Sequence, residues 1–120
     1  MSDFTPAPVK AVVSFSALEA LDIRVGTIER VEGIPRSEKL LKLTVNFGDH
    51  SRTILAGMKR ERENPREVEG KQALFVLNLE PKKMAGEISQ GMLFDLGYAD
   101  GILPALATPE RPVPNGTRAG

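Results

Sequence analysis

A strict two-residue alternation in the first half of the sequence constrains the fold more than any other feature. Within the segment 39–47, apolar side chains occupy every second position from residue 41 onward, and polar ones lie between them. Successive side chains of a β-strand point to opposite faces of its sheet, so this pattern predicts a strand with one buried face. Residues 48–51 are polar and begin with glycine, which predicts a hairpin turn into a second strand over residues 52–56. The alternating apolar positions are Leu41, Leu43, Val45 and Phe47.

Three further segments have the composition of strands. Residues 22–31 alternate imperfectly around Gly26, which predicts a bulge or a sharp bend at that glycine. Residues 71–79 are apolar on both faces, as in a central strand that is covered twice. Residues 88–96 are the third such segment and follow residues 80–86, which are interpreted as a basic loop. Residues 102–107 are a candidate for one more short strand.

Helical signals are few and short. Ser14 or Ser16 is placed to cap a helix of about two turns that reaches Leu21. The charged segment 59–69 is interpreted as a solvated loop with one helical turn, because Pro65 suits a first helical position.

The order of these elements predicts an all-β fold. Five strands with one helical interruption, and without alternation of strands and helices, favour an OB-fold, that is, a five-stranded Greek-key barrel with a short helical insertion and N- and C-terminal extensions. Residues 1–14 are interpreted as a lead-in and residues 15–120 as the folded domain. A β-sandwich is the competing interpretation, since it is built from the same kind of strands.

The composition excludes several kinds of chemistry. The sequence contains no cysteine and a single histidine, His50. Disulfides, thiolate nucleophiles and sites built from several histidines are therefore excluded. The carboxylates of Asp22, Glu29 and Glu32 are close in sequence but have no such partners. We expect no metal, no cofactor and no enzymatic activity.

Charge and hydropathy bear on partners and location. Lysines and arginines balance the acids at 16 each, so binding to a nucleic acid must come from the local placement of cations. The apolar stretch 73–79 is far shorter than the ~20 residues that a membrane-spanning helix needs. Residues 1–10 lack the pattern of a secretory signal. We expect a cytoplasmic protein without membrane insertion.

Four separated motifs resemble those of a known family. They are LDIRVG at residues 21–26, Lys39-Leu40, NLEPKKM at residues 78–84 and SQGM at residues 89–92. In this order they resemble the tRNA-binding domain that occurs as a free-standing protein, as an appendage of methionyl-tRNA synthetases and in CsaA-type secretion chaperones. The resemblance runs from about residue 15 to the C-terminus. It implies an OB-fold, a homodimer, and recognition of tRNA by shape with little sequence preference.

The resemblance and the residue types together predict an RNA-binding face. An OB-fold binds along one strand face and its flanking loops, with cations for phosphates and soft or planar side chains for bases. The resemblance implies direct RNA contact for Ser89 and Met92, although Met92 could instead pack in the core. Asn78 could instead fix the neighbouring loop, and Lys83 is favoured over Lys82. The predicted RNA-binding residues are Arg36, Lys39, Lys42, Asn78, Lys82, Lys83, Ser89, Gln90 and Met92.

The terminal extensions carry apolar residues that a barrel of about 75 residues would leave uncovered. Pairing of two chains would bury them and place two basic faces on one particle. The expected partner is tRNA. The alternative is a CsaA-type chaperone that holds unfolded export proteins at the dimer interface, and docking on a synthetase is also open. The predicted dimer interface consists of Phe15, Leu18, Ile102, Leu103 and Leu106.

Overall fold

The computed structural model describes residues 4–120, so the first three residues of the predicted lead-in lie outside it. Within this range the chain forms one short α-helix, one 3₁₀ helix and nine strands. In chain order the elements are α1 Phe15–Glu19, β1 Ile23–Gly33, β2 Leu41–Asn46, β3 Ser51–Ala56, the 3₁₀ helix Pro65–Val68, β4 Gln72–Val76, β5 Lys82–Met84, β6 Glu87–Ser89, β7 Met92–Leu93, β8 Asp95–Leu96 and β9 Ala105–Leu106.

Five of these strands form one antiparallel sheet in the order β3-β2-β1-β4-β7. The first three strands are consecutive, and β4 then joins the other side of β1, which gives the Greek-key order. The long β1 can serve two neighbours because its first half pairs with β4 and its second half pairs with β2. The predicted all-β, OB-type architecture is confirmed.

The alternating segment forms β2 as predicted, and its apolar side supplies much of the core. Leu43 and Val45 are fully buried, and Phe47 follows directly after the strand. The ring of Phe47 meets the edge of Phe75 from β4, with centroids 5.4 Å apart. Each such side chain contributes about 1.5–3 kcal/mol by leaving water. The core therefore holds β2 against the central β4.

No β-bulge lies at Gly26, so that part of the prediction is wrong. Gly26 pairs regularly with Ala73, and the register of β1 shifts between Ile28 and Arg30 instead. Gly26 is required for a close approach, because a Cβ there would lie 2.6 Å from Cγ1 of Val45. Such a distance is too short for two carbon atoms, so only glycine lets the curled sheet pack this tightly.

Both predicted helical segments are present. The hydroxyl of Ser14 accepts a hydrogen bond from the amide of Ala17 at 3.3 Å, so Ser14 and not Ser16 caps α1. Asn64 caps the 3₁₀ helix that begins at Pro65. Neither helical segment found in residues 4–120 has the length and hydrophobicity that a membrane-spanning helix requires.

The last predicted strands are shorter than expected. The segment 88–96 is broken into β6, β7 and β8. Within the candidate segment 102–107, only Ala105–Leu106 forms a strand, which pairs with β8. Leu106 packs against the chain's own core.

The barrel closes between β3 and the segment 89–90, and side chains make most of the seam. The hydroxyl of Ser89 accepts a hydrogen bond from the amide of Leu55 at 2.9 Å. The side-chain oxygen of Gln90 accepts one from the amide of Thr53 at 2.9 Å, and the Gln90 amide donates to the Thr53 carbonyl at 2.8 Å. These bonds satisfy the exposed edge of β3, which would otherwise be open to another strand.

The C-terminal extension is tied to the barrel. The backbone of residues 116–119 bonds to that of residues 23–25, on the side of β1 away from β4. The side chain of Gln72 donates to the carbonyl of Val113 at 2.6 Å and accepts from its amide at 3.1 Å. This tail therefore completes the fold of its own chain.

Candidate nucleic-acid interface

Residues 82–89, which the sequence predicts as a basic loop entering a strand, form a two-stranded hairpin that we call the basic hairpin. Strands β5 and β6 pair antiparallel across the two-residue turn Ala85-Gly86. Both turn residues have positive φ, 49° and 81°, as in the tight turns that suit the twist of a hairpin. The two lysines after Pro81 are therefore on a strand with defined faces.

The register of the basic hairpin separates its lysines. Lys82 lies opposite Ser89, and Lys83 lies opposite Ile88. Because side chains alternate along a strand, Lys82 shares the face that packs against β3, while Lys83 shares the outer face with Ile88. The two cations thus point to different sides of the hairpin.

The basic hairpin is docked beside the loop between β1 and β2. The ammonium of Lys42 lies 3.1 Å from a carboxylate oxygen of Glu87. A Cβ on Gly86 would lie 3.4 Å from Nη1 of Arg36, so the guanidinium covers the hairpin turn. The structure brings Arg36 and Lys42 together with the hairpin that carries Lys82 and Lys83.

The neutral net charge hides an uneven distribution. Most arginines outside this region are paired with acids, as in the contact of Arg60 with Glu38 at 2.7 Å. Arg36, Lys82 and Lys83 are exposed and form no ion pair within residues 4–120. Three uncompensated cations on adjoining surfaces give this region a local positive field.

Lys39 is not part of this cluster by any contact that the structure shows. It is exposed and lines a separate groove of about 400 Å³ with Arg60, Tyr98 and Ile102. Of the cations predicted on β2 and its loop, Arg36 and Lys42 adjoin the basic hairpin.

Ser89 has a structural role and almost no exposed surface, in contrast to the RNA contact that the resemblance implies. Only 3% of the residue is exposed. Its hydroxyl accepts from Leu55 and donates to the carbonyl of Gly91 at 2.9 Å. Gln90 is exposed, but its side-chain oxygen is used in the seam. In the SQGM motif these two side chains close the barrel.

Asn78 has the structural role that the sequence left open as the alternative to RNA contact. Its side-chain oxygen accepts from the amide of Asp22 at 2.7 Å, and its amide group donates to the carbonyl of Ala20 at 2.6 Å. Both functions of the amide thus fix the segment between α1 and β1 to the end of β4. Asn78 positions the start of the barrel.

Met92 is a surface residue and not part of the core, with 46% of its area exposed. Together with Leu79 and Met84 it lines a concave pocket of about 220 Å³ that Lys82 also borders. Leu79 and Met84 are not among the site residues predicted from the sequence. Alternation of Lys82 and Met84 in a strand would have revealed the shared face, but the segment was predicted as a loop.

Arg52 is a second residue that the sequence analysis missed. It is half-buried, and its Nη1 donates to the carbonyls of Leu77 at 2.9 Å and Gln90 at 3.0 Å. Its Nε donates to His50 at 2.9 Å. Arg52 therefore braces the two strand ends on which the pocket rests.

The predicted dimer residues fall into two groups. Phe15, Leu18, Ile102 and Leu103 are exposed apolar side chains. Leu106 is half-buried against its own barrel, so it is not available in the way predicted. No cluster of three histidine or acidic side chains suited to a metal ion occurs in residues 4–120.

The fold and this site define a small OB-type barrel protein with a basic hairpin beside its open face. The family model described as "Putative tRNA binding domain" matches residues 23–118. The chain belongs to this tRNA-binding domain family.

The curated proteins that resemble the chain include methionine–tRNA ligases. Methionine–tRNA ligase of Bacteroides fragilis is 35% identical over 116 residues, which are 97% of this chain and 17% of the enzyme. The corresponding enzyme of Phocaeicola vulgatus is 39% identical over 103 residues, 85% of this chain and 15% of the enzyme. The chain thus spans less than a fifth of the length of these curated relatives.

Solved structures show the same fold at full length. A MetRS-related protein from Pyrococcus horikoshii is 37% identical, with a TM-score of 0.84 over 92% of this chain and 100% of its own. The chaperone CsaA of Bacillus anthracis is 29% identical, with a TM-score of 0.79 over 92% of this chain and 100% of its own.

Proposed function

We propose that this chain binds tRNA through the basic hairpin and the adjoining loop between β1 and β2. The observation that carries the proposal is that three exposed cations without an ion pair in residues 4–120, Arg36, Lys82 and Lys83, lie on the basic hairpin and the loop beside it. Membership of the tRNA-binding domain family and similarity to methionine–tRNA ligases support it. The cytoplasmic location expected from the sequence remains part of the proposal.

The mode of binding follows from the residue types. Lysine and arginine side chains bind phosphate oxygens, and such contacts fix position without reading sequence. The protein carries one tyrosine, five phenylalanines and no tryptophan, and its two largest buried side chains are phenylalanines in the core. We therefore propose that phosphate and shape recognition provide most of the affinity, and that no catalytic step accompanies binding.

Removal of the two hairpin lysines tests this proposal. In the double variant Lys82→Gln and Lys83→Gln, affinity for tRNA at low salt is expected to fall by about tenfold or more, because two phosphate contacts are lost. The slope of log affinity against log salt should decrease by about one unit per lysine. Fluorescence titration of labelled tRNA over a range of salt concentrations measures both quantities.

A matched control removes the same charge elsewhere. Lys71 and Arg111 are exposed and line a separate groove that no residue of the basic hairpin borders, so Lys71→Gln with Arg111→Gln should leave the salt slope nearly unchanged. Equal losses in both double variants would contradict a localised site. Absence of tRNA binding by the unmodified protein at low salt would refute the proposed function.

We further propose that the chain forms a homodimer through its N-terminal segment. Phe15 and Leu18 project from α1 into solvent, and Val12 and Val13 precede them as exposed apolar residues. An apolar patch of this kind on a small protein is typical of an interaction surface. Two basic hairpins on one dimer would bind one large RNA with greater avidity.

The dimer is tested with Leu18→Glu, which is expected to shift the mass in sedimentation equilibrium from two chains to one. Burial of an unpaired carboxylate in the interface would cost more than the apolar contact provides. Ile88→Glu on the basic hairpin is the matched control, because Ile88 is 55% exposed and Leu18 is 56% exposed. A single-chain mass for the unmodified protein, or a dimer that persists in Leu18→Glu, would count against this interface.

A chaperone function of the CsaA type is the second candidate, and the similarity to the Bacillus anthracis chaperone favours it. Its clients would be unfolded export proteins that bind apolar surface. Such binding tolerates moderate salt and does not depend on Lys82 and Lys83. Docking on a synthetase is a third use of the same exposed surfaces.

A further inference from the structure

The segment 95–106 forms a small hairpin on the barrel, which we call the flap. Its two strands, β8 and β9, pair over only two residues each. The turn between them contains two residues with positive φ, Gly97 at 95° and Gly101 at 72°. None of residues 94–112 is buried. A segment with so few buried contacts lies at the low end of the stability range within a fold, so it can open while the barrel stays folded.

The flap is anchored at its base and not at its tip. The amide of Phe94 donates to the carbonyl of Leu74 at 3.1 Å, and the amide of Leu74 donates to the carbonyl of Ala107 at 3.0 Å. Leu106 packs against the core. In the described chain, the backbone hydrogen bonds of the turn 97–102 join residues of the flap to each other. The base of the flap can therefore act as a hinge.

The flap and the segment 57–61 form the two walls of the groove of about 400 Å³ that Lys39 borders. The second wall is fixed, because Met58 is only 1% exposed and the amide of Lys59 donates to the carbonyl of Lys39 at 3.1 Å. A change in the distance between the walls therefore has to come from the flap.

A pair of carboxyl groups joins the two walls. Asp95, at the start of the flap, faces Glu61, whose side chain is only 9% exposed. Both carboxyl oxygens of Glu61 and Oδ1 of Asp95 are buried without a hydrogen-bond donor in residues 4–120. A proton on either carboxyl lets it donate to the other, whereas two ionised carboxylates repel each other where their charges are poorly solvated.

We propose that the flap is a proton-controlled gate on this groove. It is closed while Glu61 and Asp95 share a proton, and it moves away from the segment 57–61 when both are ionised. Separation relieves the repulsion and returns both carboxylates to water, and the flap is the wall that can move. Opening changes the shape of the groove and places two negative charges beside the exposed side chains of Ile102 and Leu103. A partner of this groove would therefore bind differently below and above neutral pH.

The surrounding charges leave the repulsion in place. The other charged groups near the pair or at the groove are Lys39, Glu38, Arg60, Arg62 and Glu67. Nη1 of Arg62 lies 3.7 Å from Glu61, beyond a good hydrogen bond, while its Nε contacts Glu67 at 3.1 Å. Burial and the neighbouring carboxyl of Asp95 raise the pKa of Glu61 to about 7 against the opposing effect of Arg62.

The direction of the pH dependence follows from the raised pKa. The closed flap favours the protonated form of Glu61, so closure is fully favoured below about pH 4.5 and loses this advantage as the pH rises through about 7. Between about pH 5 and pH 8 the equilibrium constant for opening is expected to rise by up to about 70-fold. Above that range it should level off.

A distance between two spin labels measures the opening, and the chain has no cysteine of its own to compete for the label. Ala99→Cys places one label on the flap and Glu63→Cys places the other beyond the fixed wall, both at exposed positions. Pulsed electron paramagnetic resonance is expected to give one short distance at pH 5 and an added longer, broader component at pH 8. Dilution with unlabelled chains suppresses distances between chains.

Two variants of the doubly labelled chain remove the repulsion. Glu61→Gln replaces the shared proton with a permanent amide donor, and Asp95→Asn does the same from the flap, so each is expected to keep the short distance at both pH values. Histidine side chains in general titrate in this range, so His50→Gln is the matched control and should retain the change in distance. Circular dichroism shows whether each variant is folded.

Several results would overturn the gate. They are an identical distance distribution at pH 5 and pH 8, a change that persists in a folded Glu61→Gln or Asp95→Asn variant, and a change that disappears in His50→Gln. A fall in unfolding free energy without any change in distance would also overturn it, because the carboxyl pair would then act on the whole fold. Binding of tRNA is a separate measurement, since neither the flap nor the segment 57–61 is part of the basic hairpin.

Discussion

Between about pH 5 and pH 8 the unmodified protein is expected to lose unfolding free energy. Replacement of Glu61 with glutamine is expected to abolish most of that loss. Burial and the neighbouring carboxyl of Asp95 together raise the pKa of Glu61 to about 7, while Arg62 acts against both. Because this pKa lies above the ordinary 4.5, folding favours the protonated form. The contribution of Glu61 is therefore complete below about pH 4.5 and is lost as the pH rises through about 7.

The structural basis is a pair of buried carboxyl groups. Only 9% of the Glu61 side chain is exposed, and both of its carboxyl oxygens and Oδ1 of Asp95 lack a hydrogen-bond donor within residues 4–120. Nη1 of Arg62 lies 3.7 Å from Glu61, beyond a good hydrogen bond. One proton shared between the two carboxyls supplies the missing donor, so the deprotonated pair is the unfavourable state.

The size of the effect is large for one residue. A pKa unit corresponds to about 1.4 kcal/mol, so the unmodified protein is expected to lose up to about 3 kcal/mol of unfolding free energy over this range. Urea unfolding at a series of pH values measures it. Glu63→Gln, at an exposed neighbour, is the control and should keep the profile of the unmodified protein. Parallel profiles for Glu61→Gln and the unmodified protein would exclude the shared proton.

Other carboxylates act in a lower pH range and with the opposite sign. Hydrogen bonds from Arg24 hold the pKa of Asp22 below its ordinary value, and a backbone hydrogen bond from Val31 does the same for Glu69. Their contributions to stability are present above their ordinary pKa values and are lost as the pH falls. They therefore leave the window assigned to Glu61 undisturbed.

Gly91→Ala is expected to destabilise the protein by about 2–3 kcal/mol, which is in the upper part of the range for overpacking. The added methyl group would lie 2.7 Å from the carbonyl oxygen of Val76 and 2.9 Å from Cδ1 of Ile54. The first contact is with backbone and the second with a fully buried side chain, so neither neighbour can move away easily. The midpoint of urea unfolding is the measurement.

Gly57→Ala is the matched control for this substitution. No heavy atom lies within 4 Å of a Cβ built at Gly57, and its backbone is not in the left-handed region. Its unfolding free energy should stay within a few tenths of a kcal/mol of the unmodified protein or rise slightly. Similar behaviour of the two alanine variants would show that the seam tolerates a side chain.

Local patterns in the sequence predicted the local elements well. The alternation from Leu41 to Phe47 predicted β2, Ser14 was one of two predicted caps of α1, and Pro65 predicted the 3₁₀ helix. Each of these signals depends on neighbours within a few residues, so it is independent of the rest of the fold. The family motifs extended this success to the barrel itself.

Long-range contacts produced the errors. The local pattern predicts a bulge or a bend at Gly26, but glycine is required there by its close approach to Val45, on the next strand. The resemblance implies RNA contact for Ser89, whereas its hydroxyl accepts from the amide of Leu55, which is 34 positions away in the sequence. The charged run at residues 59–62 was taken for a solvated loop, yet Glu61 is buried against Asp95.

The sequence by itself determined an all-β barrel, a charge-balanced protein without thiol or multi-histidine chemistry, and the family to which the chain belongs. Only the tertiary structure decided which cations are free, which face of the hairpin Lys82 and Lys83 occupy, and that Leu79, Met84 and Met92 form one pocket. The physical reason is that strand pattern and residue type are local properties. Ion pairing, burial and pocket shape depend on residues that meet only when the barrel closes.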